Sequence, residues 1–227
     1  MTRPAIEEKK DFQINRFFSK RLTRLLLKTP LTPNQVTFLS LSFGILSGVL
    51  FSSGNYGLSI AAAFAYIAAC VLDNCDGEIA RAKNLKSVFG GWLDIVVDFL
   101  ADLSLFTGLA LGVLKRGVEG PAVFFLILCL AGSFINLCIV ILEKLKGFGP
   151  AVFNKPNPDG VKRQNIFFKI SEALREGDSS WFVVLFAVFG KPEYLLWAGG
   201  IYMQIIWISA IALNYRWLFS ARKNVAD

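Results

Sequence analysis

Apolar residues run in six long blocks, at about 34–53, 57–80, 90–114, 121–143, 178–192 and 194–218. Several approach the ~20 residues that a helix needs to cross a bilayer, so the pattern predicts six transmembrane helices. The fifth block is short; it extends back through Glu172–Asp178 or tilts little. The breaks fall at Ser52–Gly57, Lys83–Ser87, Lys115–Gly120, a long stretch Lys144–Glu176, and Gly190–Glu193. Residues 1–30 follow another period. Ile14, Phe17, Phe18, Leu22, Leu25 and Leu26 recur at helical spacing, while Arg16, Lys20, Arg24 and Lys28 line a second face. That predicts an amphipathic helix lying in the membrane interface among anionic headgroups; a helix packed on its own protein would share the pattern. The organisation is then a juxtamembrane helix over 1–30 and one membrane domain over 31–227.

Composition agrees. The chain is 54% hydrophobic, with a mean hydropathy of +0.52, too apolar for an ordinary soluble domain. The charged first turns lack an early apolar core, so no cleavable leader is expected. Charge then orients the spans. With the N-terminus on the cytoplasmic side, every one of the 24 Lys and Arg residues except Lys115, Arg116 and Lys191 lies cytoplasmic, which predicts an N-in, C-in arrangement. The net charge of +7 is a membrane-surface feature on this reading. No basic groove module or aromatic platform appears, so no nucleic acid partner is expected. Cys70, Cys75, Cys129 and Cys138 form no CxxC and read as small buried apolar residues. Histidine is absent, which leaves a carboxylate, Lys, Tyr or Cys as any general base.

Four aspartates break the apolar blocks: Asp73, Asp76, Asp94 and Asp98. A carboxylate at bilayer depth is costly and rarely incidental. The i,i+3 and i,i+4 spacings put each pair on one side of its helix. Two such helices, antiparallel and face to face, gather all four round one space. Like charges cannot share it without cations, and an all-oxygen donor set points to magnesium, manganese or calcium. Two divalent ions would balance the charge. Asp102 continues the stripe one turn deeper, either as a hydrogen-bond partner of the cluster or as a structural polar contact.

The stretch from Asp73 to Asp98 reads D-x-x-D-G-x-x-A-R, eight residues, G-x-x-x-D-x-x-x-D, on Asp73, Asp76, Gly77, Ala80, Arg81, Gly90, Asp94 and Asp98. It resembles the signature of the CDP-alcohol phosphotransferase family at every fixed position. Thr32-Pro33-Asn34-Gln35-Val36-Thr37, at the entrance to the first span, is similar to a segment of many members. By itself that segment reads as a helix start, with Thr32 as N-cap and Pro33 in the first turn. The resemblance implies a divalent-metal transferase, using Mg2+ or Mn2+ and two ions. Asp73, Asp76, Asp94 and Asp98 would be metal ligands, Asp98 also the general base, and Asn34, Thr37, Asp73, Gly77 and Arg81 donor-site residues. It implies transfer of a phosphatidyl-type group from a CDP-linked lipid, CDP-diacylglycerol or an ether analogue, to a small polar alcohol with release of CMP. A small-headgroup CDP-alcohol donor is the alternative. Gly77 and Gly90 let a nucleotide or a neighbouring helix approach closely.

The acceptor is not specified. Lys144, Lys146, Lys155, Lys162, Arg163, Lys169 and Arg175 carry charge that a phosphorylated one would need, with Lys155, Arg163 and Arg175 as the named candidates, and positive-inside anchoring accounts for them equally. Gly44-x-x-x-Gly48 and Gly108-x-x-x-Gly112 permit close helix packing, either within the chain or in the homodimer that the resemblance implies. Two readings of other classes compete: a cation-coupled transporter and a non-catalytic scaffold. No inverted repeat favours the first, and a scaffold has no use for costly carboxylates.

Overall fold

The computed structural model describes residues 14–118, 121–145 and 180–220, with the side chains of 143 and 212–220 left out. Among the described residues the fold is all-helical: α1 Ile14–Leu26, α2 Pro33–Phe51, α3 Tyr56–Ala82, α4 Val88–Lys115, α5 Ala122–Leu145, α6 Ser180–Val188 and α7 Pro192–Ser220. Five of these helices are long and apolar enough to cross a membrane, so the chain is an integral membrane protein. The expected fifth span is represented by α6, whose nine described residues do not reach crossing length. The Glu172–Asp178 extension lies outside the described residues.

Local chemistry sets the helix starts. Thr32 and Gln35 form a capping box at α2, with Pro33 in its first turn. Asn55 caps α3 through the Leu58 amide, and Ser87 caps α4 through the Gly90 amide. The α3–α4 turn carries Asn84 at φ 54°, a left-handed position that asparagine tolerates.

Of the two expected uses of the GxxxG pairs, the chain employs them internally. α2 packs along α4 with Gly44 against Ala101, Gly48 against the Ser104 backbone, Gly108 against the Gly48 carbonyl and Gly112 against the Phe51 carbonyl. Without side chains at these points, dispersion contacts between backbones replace the missing hydrophobic drive between helices in lipid. α2 also packs extensively on α3, whereas α3 and α4 touch each other little. α2 braces both, and the backbones of the two carboxylate-bearing helices stand apart while their carboxylates meet in the space between them. α5 and α7 form a second pair through Gly132 against Met203 and Gly200 against Phe125.

α1 departs most from a simple amphipathic picture. Its buried residues are Asn15, Ser19 and Thr23, a polar stripe at four-residue spacing. Asn15 donates to the Ser180 hydroxyl at 2.8 Å and accepts from Trp181 Nε1 at 3.1 Å, while Ser19 donates to Glu78 at 2.9 Å. Leu22 and Leu26 pack on the α2–α3 core around Val36, Leu72 and Ile79, and Phe17, Phe18 and Leu25 stay exposed. A polar stripe therefore docks the helix together with Leu22 and Leu26.

At the end remote from the motif, Arg116 donates to the Gly54 carbonyl at 2.7 Å, the Gly190 carbonyl at 3.1 Å and the Ser59 hydroxyl at 3.4 Å. Lys191 lies 3.7 Å from Glu193. Two of the three cations that the charge rule left on that side have local partners, Arg116 tying together two turns and the start of α3.

Gly108→Ala is expected to lower stability by about 1–3 kcal/mol, the usual cost of forcing a methyl into a full interface. Gly57→Ala, where a Cβ would meet only Asn55 Oδ1 at 3.4 Å, should be neutral or stabilising because alanine is the better helix former. Thermal unfolding of both variants in detergent checks this pair.

Candidate functional site

Asp73 and Asp76 leave α3 one turn apart, near its C-terminal end, and Asp94 and Asp98 leave the first half of α4. The turn between them reverses the chain, so the two pairs run level in opposite directions. One carboxylate oxygen from each of Asp73, Asp76 and Asp94 lies within 4.8 Å of the others. Asp98 stands outside that group of three, and its side chain meets Asp73 within hydrogen-bonding reach. Asp73 Oδ1 is buried and has no hydrogen-bond partner among the described residues.

That orphaned oxygen decides how the donor set is read. A buried carboxylate atom without a partner is costly unless a cation meets it. Arg81 acts electrostatically on Asp76, and Lys144 on Asp94, yet neither is paired with these carboxylates among the described residues. Three convergent oxygens fit a hard divalent cation.

The remaining motif residues surround this point. Thr37 donates to Asp76 Oδ2. A Cβ on Gly90 would sit 3.1 Å from Asn34 Oδ1, and one on Gly77 would sit 3.4 Å from an Arg81 nitrogen. The amide of Asn34 and the guanidinium of Arg81 thus lie over the two glycines, at the same end as the carboxylates. The glycines keep the backbone open there. Deeper in, Asp102 accepts from Ser133 of α5 at 3.2 Å, and Ser133 also touches Met203 of α7. Asp102 thereby makes a contact between helices.

One of the basic residues considered for an acceptor phosphate reaches the site. Lys144, at the end of α5, places Nζ 4.6 Å from the centre of the Trp92 ring and against the bare Cα of Gly91. Partial burial lowers its ammonium from the ordinary lysine range, and the nearby Asp94 opposes that shift. No spacing links position 144 to the motif; only the return of α5 to α4 brings it there. Lys155, Arg163 and Arg175 lie outside the described residues.

Residues 30–158 match the family model of CDP-alcohol phosphatidyltransferase. The chain is 36% identical over 97 residues to an archaetidylinositol phosphate synthase of Pyrococcus horikoshii, 43% of this chain and 50% of that one. It is 42% identical over 87 residues to a bifunctional IPC transferase and DIPP synthase of Rubrobacter xylanophilus, 38% of this chain and 19% of that one. These matches therefore span half or less of each relative's length. The fold is similar to the crystal structure of Mycobacterium tuberculosis phosphatidylinositol phosphate synthase with CDP-DAG bound, with a TM-score of 0.57 and 21% identity over 87% of this chain and 92% of that one. A structure of the same mycobacterial protein in complex with manganese and citrate gives a TM-score of 0.54 at 22% identity, over 86% of this chain and 87% of that one.

Manganese should raise the thermal unfolding temperature of the purified chain, by the equivalent of ~2.7 kcal/mol when free ion reaches about 100 times Kd. Asp73→Asn and Asp94→Asn should each remove most of that shift. Glu78→Gln, whose carboxylate serves Ser19 instead, should retain it.

Proposed function

Because the chain belongs to the CDP-alcohol phosphatidyltransferase family, we propose that it transfers a phosphatidyl-type group from a CDP-linked lipid to a small polar alcohol and releases CMP. The observation that carries this is the convergence of Asp73, Asp76 and Asp94 within 4.8 Å, with Asp98 against Asp73.

Asp73, Asp76 and Asp94, with Asp98 against Asp73, would together hold two ions of magnesium or manganese. Bound there, the ions supply charge neutralisation at the pyrophosphate. The protein's own residues do the rest. Asn34, Gly77 and Arg81 receive the cytidine phosphate end; the planar Arg81 fork suits phosphate oxygens. Asp98 takes the proton of the acceptor hydroxyl. That oxygen forms a bond to the phosphorus bearing the lipid alcohol, and the bond from this phosphorus to CMP breaks. The product is a phosphodiester, and no covalent enzyme intermediate is required. Such transfer rests on positioning and electrostatics.

For the acceptor we favour inositol phosphate over glycerol phosphate, inositol or serine. The Pyrococcus relative is named for an inositol phosphate product, and Lys144 beside Asp94 provides a cation for an acceptor phosphate. We place the site on the cytoplasmic side, in a six-span, N-in and C-in topology with α6 in the fifth span, on the charge distribution. The exposed Phe17, Phe18 and Leu25 of α1 support an interfacial position for that helix over a membrane domain of 31–227. A homodimer uses a surface other than the Gly44–Gly48 and Gly108–Gly112 faces, which are filled within the chain.

The test is CMP release from CDP-diacylglycerol by purified protein, with magnesium, manganese or EDTA, against each of those acceptors and none. Metal-dependent release with inositol phosphate is the expected result. Release from a small-headgroup CDP-alcohol alone would reverse the donor assignment, and cation flux without release would favour transport. Asp98→Asn is expected to cut turnover about 10²–10⁴-fold, the range for a lost general base, with Mn2+ binding retained.

A further inference from the structure

Thr37 stands in the sequence segment that the resemblance ties to the nucleotide, yet its surroundings serve another purpose. Thr37 is 3% exposed and Asp76 is 7% exposed. The Thr37 hydroxyl donates to Asp76 Oδ2, and its oxygen also lies 3.1 Å from the Pro33 carbonyl, one turn back along α2. A hydroxyl has one proton, and the nearer, charged acceptor takes it. The geometry points to Thr37 as a positioning residue that fixes the Asp76 carboxylate for metal binding, rather than as a contact to the donor nucleotide. This rests on the metal site proposed above.

The segment is built for that task. The Thr32–Gln35 capping box and Pro33 fix the first turn of α2. A β-branched side chain in a helix has few χ1 options, and the one adopted here holds the hydroxyl between Pro33 and Asp76. α2 is also the helix that packs on both α3 and α4, so a carboxylate of α3 is fixed from the brace that α4 shares. One turn further on, Ser40 of α2 also donates to α3, but to the Ala69 carbonyl at 2.9 Å. The two hydroxyls link the same helices, and only one reaches a carboxylate of the cluster. Second-layer partners of metal ligands typically govern affinity by 10–100-fold.

The experiment measures Mn2+ binding to the purified full chain in detergent, from the EPR signal of free Mn2+, with no donor or acceptor. Thr37→Val should weaken binding about 10–100-fold, Thr37→Ser should restore it, and Ser40→Ala should leave it unchanged despite losing a hydrogen bond between α2 and α3. Thr37→Ala substitutes should Thr37→Val fail to fold. The donor KM at saturating Mn2+ should be unaltered in Thr37→Ser and within about twofold in the apolar variants, on the affinity arithmetic of a group that does not touch the ligand. Wild-type Mn2+ affinity in Thr37→Val, or a raised donor KM with that affinity intact, would overturn the assignment alone. An unaltered chain that binds no Mn2+ would overturn the metal site and this role together.

Discussion

Everything at the motif end follows from one constraint: carboxylates that repel each other are held together where water is scarce. Asp73 Oδ1 has no hydrogen-bond partner among the described residues, and Asp98 adjoins Asp73. Left to itself such a group would spread apart or draw in water. The helices prevent this because each is fixed elsewhere. α3 and α4 are joined by a short turn, and both are packed on α2. The cluster is kept together by the scaffold, and a divalent cation would relieve its repulsion.

That scaffold depends on small residues. Gly48 and Gly108 meet backbone to backbone, as do Gly112 and Phe51. In lipid, close approach supplies the dispersion contacts that burial from water supplies in a soluble protein. The consequence for the site is indirect but firm. α2 lies close enough to α4 for Asn34 to reach Gly90, and close enough to α3 for Thr37 to reach Asp76. The same helix supports the proposed metal ligands and lines the proposed nucleotide site.

The two ends of the molecule use polar contacts differently. At the motif end, α1 turns Asn15, Ser19 and Thr23 inward and leaves Phe17 and Phe18 outward. In the proposed interfacial position, lipid would cover the outward apolar residues. Glu78, two residues after Asp76, is bound by Ser19, so α1 is attached to the helix that carries half the cluster. At the other end, Arg116 satisfies helix-end and turn carbonyls, which explains a cation where the charge rule expects few.

The sequence alone determined the elements and the chemistry. Apolar block lengths located five crossing helices to within about two residues, an ordinary uncertainty for helix ends. The eight-position motif identified the four aspartates, and their helical spacing put each pair on one face. Those features are local: they depend on period and residue type. Tertiary structure decided what depends on distant segments meeting. It set α3 and α4 apart with α2 bracing both, gave the glycine pairs to packing within the chain, and turned the polar stripe of α1 inward. It brought Lys144 of α5 to Gly91 and Trp92 of α4. It also turned the Thr37 hydroxyl onto Asp76, 39 residues away along the chain. A pattern along one helix shows which faces are apolar or charged, but not which other helix will meet them.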